Sequence, residues 1–167
     1  MRALIESIEA EFHRYKQLGE RAIAQVPDDR LSRRSVDSDN SIPVICWHLS
    51  GNLRSRFTDF LTTDGEKPWR KRDEEFVERT VSRSELIERW NAGWAVLFAT
   101  LSELNDADLE RVVAIRGEEM RVHQALHRSL AHTAYHVGQI VYVAKSLAGS
   151  AFQSLSIPRA AVREGGG

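Results

Sequence analysis

Apolar residues recur every three or four positions in four segments of the chain, and this spacing is the strongest constraint on its fold. The segments end before Pro27, run from Ser41 to about Thr62, run from Ser82 to Leu104, and run from about Met120 to Leu147. Alternating polar and apolar residues are nearly absent, and only 112–115 is expected to be briefly extended. The pattern predicts an all-α protein, a four-helix bundle with long first and second connections.

Local signals support three of the helix ends. Pro43 suits a first helical turn after Asn40 or Ser41 as N-cap, and Ser82 with Glu85 offers a capping box. Gly149 suits the end of the fourth helix.

Length and charge limit the class of protein. The 167 residues fit one domain, predicted at 1–155, with a flexible tail at 156–167. The net charge of −1 comes from 23 basic and 24 acidic side chains, so nucleic acid is not an expected partner. No apolar run approaches the roughly 18 residues that a membrane helix needs. A single cysteine, Cys46, and an N-terminus interrupted by glutamates predict a cytoplasmic protein that does not insert in membranes.

The fourth segment carries two histidines, His132 and His136, on its inward apolar stripe. Side chains four residues apart on a helix are neighbours, so the two rings can offer nitrogens to one cation. The spacing alone is weak support, because a buried histidine is more often a hydrogen-bonded core residue. His123 and His127 fall on other faces and are predicted to be solvated or to face a partner.

A third ligand would strengthen the case for a metal. His48 lies on the flank of the apolar stripe of the second helix, where an exposed surface histidine is the simpler interpretation. If the second and fourth helices are neighbours, His48 completes three neutral nitrogen ligands. Three protein ligands with an open position are typical of catalytic rather than structural zinc.

Two stretches together resemble a known superfamily. "WHLSGNLRSRFTDFLTTDGEKPWRKRDEEF", followed some fifty residues later by "HTAYHVGQIVYVAK", resembles the DinB-like (DinB/YfiT) superfamily over essentially the whole chain, in a branch of mostly unassigned function. The resemblance implies an up-down-down-up four-helix bundle, often a homodimer, with one divalent metal on His48, His132 and His136. We expect the ion to be Zn²⁺ or Ni²⁺.

The resemblance also implies a chemistry. Characterised members include thiol S-transferases that use bacillithiol or mycothiol and a mycothiol-dependent maleylpyruvate isomerase, so a low-molecular-weight thiol is the expected small-molecule substrate. The same three ligands could instead activate water, which makes a metal-dependent hydrolase the alternative. The third possibility is a non-catalytic, dimeric metal-binding or stress-response protein.

Other residues are weaker candidates. Asn52 and Gln139 could orient a ligand or a water, although exposed polar side chains are the simpler interpretation. The loop at Trp69–Arg72 could bind an anion or close over a substrate, but a solvated charged loop with Trp69 packed on the bundle is favoured. Apolar residues of the fourth helix beyond the metal stripe predict a homodimer. They are Leu126, Leu130, Thr133, Val137, Val141 and Ala144.

Overall fold

Four helices account for most of the chain. The computed structural model describes residues 1–36 and 40–156. The helices are α1 (Ala3–Ile23), α2 (Ile42–Phe57), α3 (Arg83–Glu103) and α4 (Val122–Ala148). The all-α prediction therefore holds, with one small hairpin added. The tail predicted at 156–167 lies, apart from Ser156, outside the described residues.

The start of α2 follows the predicted signal, but its end does not. The Ser41 hydroxyl accepts a hydrogen bond from the Val44 amide at 3.4 Å, and Pro43 occupies the first turn. The helix ends at Phe57 rather than near Thr62, because Thr58 is extended and Asp59 adopts a left-handed φ of 49°. The prediction was wrong here because the apolar spacing continues through Phe60 and Leu61 into a turn. Because α2 ends at Phe57, the chain that follows can turn toward the site described below.

A two-stranded hairpin precedes α4. Strand β1 (Val112–Ile115), expected from the sequence, pairs antiparallel with β2 (Glu118–Arg121), which had been assigned in part to the fourth helix. Arg116 and Gly117 both have positive φ, as a type I′ turn requires. Asp64 accepts hydrogen bonds from both of their amides, at 2.8 and 2.7 Å. The turn is thereby fixed against the segment that follows α2.

The helices pack through large buried side chains and one close backbone approach. The main contacts are α2 on α3 and α1 on α4, and α2 also contacts α4. Trp90 and Trp94 of α3 are fully buried in the core. A Cβ atom on Gly93 would lie 2.6 Å from Ser50 Cα, so only glycine allows α2 and α3 to approach this closely. The contact of α2 with α4 brings their histidines together.

Most of the apolar surface beyond the metal stripe of α4 is covered within the chain. Leu126, Thr133, Val137 and Ala144 are fully buried, since α4 packs on both α1 and α2. Leu130 and Val141 are only partly buried, so most, but not all, of the apolar surface from which a homodimer is predicted is covered within the chain, and the dimer itself stays a prediction. None of the described helices combines the length and hydrophobicity needed to cross a bilayer.

Candidate metal centre

The imidazoles of His48, His132 and His136 converge at the contact between α2 and α4. His132 Nε2 lies 3.2 Å from His48 Nε2 and 3.1 Å from His136 Nε2. The three ligand nitrogens lie within 4.8 Å of one another. His48 is buried, with 5% of its surface exposed, and the other two rings are partly buried. The structure thus brings together all three histidines that were predicted from the sequence to be ligands.

The cluster fits a single transition-metal ion. Two nitrogens bound to one tetrahedral zinc at about 2.0–2.1 Å are about 3.3 Å apart, close to the observed spacings. The remaining ring nitrogens of His48 and His136 face acceptors, which assigns hydrogen to Nδ1 and leaves the lone pair on Nε2. Lone pairs that face each other at this distance repel unless a cation or a proton lies between them. These donors therefore suit one metal ion, and three protein ligands leave at least one coordination position open.

A buried ion pair orients His48. Glu75 Oε2 accepts a hydrogen bond from His48 Nδ1 at 3.0 Å, and Arg70 donates to both oxygens of the same carboxylate at 2.8 Å each. Burial alone would raise the pKa of Glu75, but the hydrogen bonds from Arg70 and His48 outweigh it and hold the pKa below its usual value. Phe76 packs against the His48 ring at 4.7 Å. A carboxylate behind a ligand histidine fixes its tautomer and raises its basicity.

Gly51 makes room for this carboxylate. It lies one turn after His48 on α2, and a Cβ atom there would be 2.1 Å from Glu75 Oε1. Glu75 belongs to a short 3-10 turn, Arg72–Phe76, which packs against α2. The absence of a side chain at position 51 is therefore what allows Glu75 to reach the imidazole.

The two weaker candidates are placed differently. Gln139 Oε1 lies 2.7 Å from His136 Nδ1 and accepts its hydrogen, so this side chain orients a histidine of the cluster. Asn52 is 9% exposed and lines the cavity beside the histidines, and among the described residues it forms no hydrogen bond with any of their rings. His132 Nδ1 has no hydrogen-bond partner among the described residues.

Burial keeps His132 and His136 uncharged at neutral pH. It lowers the pKa of His132 to about 3, with repulsion from His136 and His48 adding to the effect. Burial also lowers the pKa of His136 to about 4, and the hydrogen bond to Gln139 offsets part of this shift. Both rings are therefore neutral and available as ligands at pH 7.

These pKa values predict how the stability of the metal-free protein depends on pH. An unfolded histidine takes up a proton near pH 6.5, but the folded His132 and His136 do so only near pH 3 and 4. Between these limits the unfolded state binds more protons, so the free energy of unfolding falls as the pH falls from about 7 to 5. Urea unfolding of the chelator-treated protein at both pH values measures this fall. The dependence should be weaker in His132→Ala, and an equally steep dependence there would contradict the assignment.

A cavity of about 330 Å³ opens beside the histidines. Its apolar wall includes Phe57, Phe60 and Phe76, and its polar wall is cationic. The arginines that line it are Arg56, Arg70, Arg72, Arg116 and Arg128. Neither an aspartate nor a glutamate is among its described lining residues. The cavity therefore suits a small anion that carries an apolar portion.

The arginines differ in their partners. Glu66 accepts hydrogen bonds from Arg56 and from Arg116. Arg116 lies in the hairpin turn, where its left-handed backbone conformation sets the direction of its side chain. Arg72 lies over the Phe76 ring at 5.0 Å. Arg128 is exposed on α4 and forms no ion pair with a described carboxylate. Its guanidinium is thus available to an incoming anion.

Sequence reasoning missed most of this surrounding layer. Arg70, expected in a solvated loop, has a side chain only 2% exposed, so that part of the loop interpretation was wrong; Trp69 is half exposed. Glu75 and the hairpin arginine Arg116 carry no recognisable motif. The sequence feature that could have indicated a group packed behind His48 is Gly51, which lies one turn after this candidate ligand on a buried face of α2.

The remaining histidines and the cysteine lie apart from the cluster. His13 stacks on Phe98 at 3.8 Å, His127 is exposed, and His123 lies 3.8 Å from Glu110. Cys46 is fully buried, and burial raises the pKa of its thiol, which agrees with an inert core residue.

The fold and the cluster together define a class: an all-helical protein with three histidines able to hold one metal ion. Comparison with family models identifies the family to which the chain belongs. It belongs to the family described as "Protein of unknown function (DUF1572)", whose model matches residues 1–161. That description names neither an activity nor a superfamily. Neither the curated proteins nor the solved structures contain a significant match to the chain.

Proposed function

We propose that this protein is a mononuclear metalloenzyme of the DinB-like superfamily, built on an up-down-down-up bundle, that acts on a small anionic thiol. The observation that carries the proposal is the juxtaposition of the three Nε2 atoms with an arginine-lined cavity. His48, His132 and His136 would hold Zn²⁺ or Ni²⁺. When bound, such an ion supplies Lewis acidity that lowers the pKa of a thiol or a water toward neutrality.

The cavity walls would select and orient the substrate. Arg128 and Arg72 lie where a carboxylate on the substrate can accept charge-assisted hydrogen bonds. Phe57, Phe60 and Phe76 would pack against its apolar portion and exclude water from the reacting group. Glu75 would hold the His48 ring in the tautomer that presents Nε2.

The composition of the cavity favours a substrate that brings its own nucleophile. Among its described lining residues there is no cysteine, lysine or carboxylate, and the three histidines face one another. The hydroxyl of Ser129 also lines the cavity, but it has no hydrogen-bond partner among the described residues and therefore no base to activate it. Glu75, the nearest carboxylate to the cluster, is already engaged by Arg70 and His48. A hydrolase that needs a side-chain general base is therefore poorly served, whereas a thiol needs only to lose its proton. Thiol transfer is therefore favoured over hydrolysis.

A conjugation assay tests the proposal. The protein loaded with Zn²⁺ or Ni²⁺ is incubated with monochlorobimane and a thiol, and formation of the fluorescent thioether is followed. We expect metal-dependent conjugation with carboxylate-bearing thiols such as bacillithiol, and little with cysteamine, which carries no carboxylate. His132→Ala should reduce the rate to background, and Arg128→Gln should raise KM for the carboxylate-bearing thiol.

The same preparations separate the alternatives. His127→Ala removes an exposed histidine from the same helix and should leave the rate unchanged. Metal-dependent hydrolysis of p-nitrophenyl acetate without thiol conjugation would replace the transferase by a hydrolase. Bound metal with neither reaction would favour the non-catalytic metal-binding protein.

A further inference from the structure

A second cavity, of about 490 Å³, lies between α2, α3 and the segment 69–79. It shares only Arg70 with the cavity at the histidines. The residues that line it are Trp47, Gly51, Arg54, Trp69, Arg70, Lys71, Glu74, Glu75, Val77, Arg79 and Arg89. The function proposed for the histidine cluster places no substrate in this cavity.

The second cavity carries an excess of positive charge. Four arginines and one lysine line it, against two glutamates that both have partners already. Glu75 is engaged by Arg70 and His48, and Glu74 lies 3.2 Å from the exposed Lys71. Arg54, Arg79 and Arg89 have no carboxylate partner among the described residues. Burial lowers the pKa of Arg89, and the nearby charge of Arg54 lowers it further.

These three guanidiniums lie against two tryptophans. Arg79 and Arg89 lie 4.7 and 5.6 Å from the centre of the Trp47 ring, and Arg54 lies 5.7 Å from that of Trp69. A guanidinium that lies over a ring keeps the N–H groups at its edge available for hydrogen bonds. Arg79 Nη1 and Arg89 Nε are buried without a hydrogen-bond partner in the part of the chain that the structure describes, whereas Arg79 Nη2 donates to the Glu74 carbonyl at 2.6 Å. Donors of this kind, desolvated and unpaired, cost free energy until an acceptor arrives.

We propose that this cavity binds the phosphate group of a small phosphorylated molecule. Three forked donors exceed what one planar carboxylate can accept, whereas a phosphate offers three oxygens and up to two negative charges. Trp69 is half exposed at the rim and presents a ring face to the remainder of the ligand. None of the three histidines lines this cavity; the two cavities share only the Arg70 side chain, and Glu75, which holds Arg70, is the link to His48.

Tryptophan fluorescence and calorimetry with inorganic phosphate, pyrophosphate and phenyl phosphate test this site in the full-length protein. We expect saturable binding in which Arg89→Gln and Arg79→Gln each raise Kd at least about tenfold, as expected from the loss of one charged hydrogen bond. Arg14→Gln, an exposed arginine on α1, and Arg128→Gln, at the histidine cavity, should leave Kd unchanged. His132→Ala should also bind normally.

Each other outcome overturns the proposal. Binding that is lost in Arg128→Gln and kept in Arg89→Gln and Arg79→Gln would place the anion at the histidine cavity. No binding of any of the three probes at 10 mM, with thermal melting showing a folded protein, would remove the site. Benzoate that binds as tightly as phenyl phosphate, with the same sensitivity to Arg89→Gln, would show that the cavity does not select phosphate.

Discussion

Replacement of His132 by alanine is expected to reduce bound metal from about one equivalent per chain to less than roughly one tenth. His132 Nε2 lies within 3.2 Å of both other Nε2 atoms, so its loss leaves two ligands on different helices. Two imidazoles hold a divalent ion far more weakly than three in a preformed cluster. His136→Ala and His48→Ala should have the same result. Plasma mass spectrometry after desalting measures the metal content.

The control for this result is His127→Ala, an exposed residue of the same helix that should retain the full metal content. Circular dichroism should show that His132→Ala, His136→Ala and His127→Ala remain helical, because the ring removed is at least partly exposed and its loss leaves the packed core intact. Wild-type protein that stays metal-free after incubation with Zn²⁺ and Ni²⁺ would contradict the site. So would a His132→Ala variant that keeps its metal.

Glu75→Gln is expected to weaken metal binding by about 10- to 100-fold, the usual effect of losing a partner behind a ligand histidine. The substitution keeps the size of the side chain but removes the charge that His48 Nδ1 and Arg70 share. The Arg70 guanidinium, only 2% exposed, would lose its counter-charge, so some loss of stability is also expected. Competition with a chromophoric chelator measures the affinity, and urea unfolding measures the stability.

Gly51→Ala tests the same Glu75 carboxylate by displacing it rather than by changing its charge. Its Cβ would lie 2.1 Å from Glu75 Oε1, so the carboxylate must move away from His48. We expect a comparable loss of metal affinity from this substitution, which leaves all charges in place. Gly138→Ala on α4, where nothing lies within 4 Å of the added Cβ, should not change the affinity. Glu74→Gln, a change at the exposed neighbour of Glu75, is the second control. An unchanged affinity in both Glu75→Gln and Gly51→Ala would show that the carboxylate does not support the site.

The helices were predictable because their signals are local. Ser41 and Pro43 at the start of α2, Ser82 at the start of α3 and Gly149 after α4 act through neighbouring backbone groups. The hairpin before α4 was only half predicted. Its turn places Arg116 at a left-handed φ, and the amides of Arg116 and Gly117 donate hydrogen bonds to Asp64, some fifty residues earlier in the chain. No local sequence pattern predicts that Asp64 will bind the turn of this hairpin.

For the site, the sequence by itself determined which side chains could act as ligands. A helix puts His132 and His136 on one face whatever surrounds it, because side chains four residues apart are neighbours on its surface. The sequence also determines the apolar stripe of each helix, through which the helix packs on its neighbours.

Only the tertiary structure decided that His48 meets the other two rings, that Glu75 lies behind it, and that arginines from four parts of the chain surround one cavity. These groups are far apart in the sequence. Their distances depend on how closely packed segments can approach: Gly93 allows α3 to approach α2, and Gly51 allows the Glu75 carboxylate to approach α2, because neither residue has a side chain.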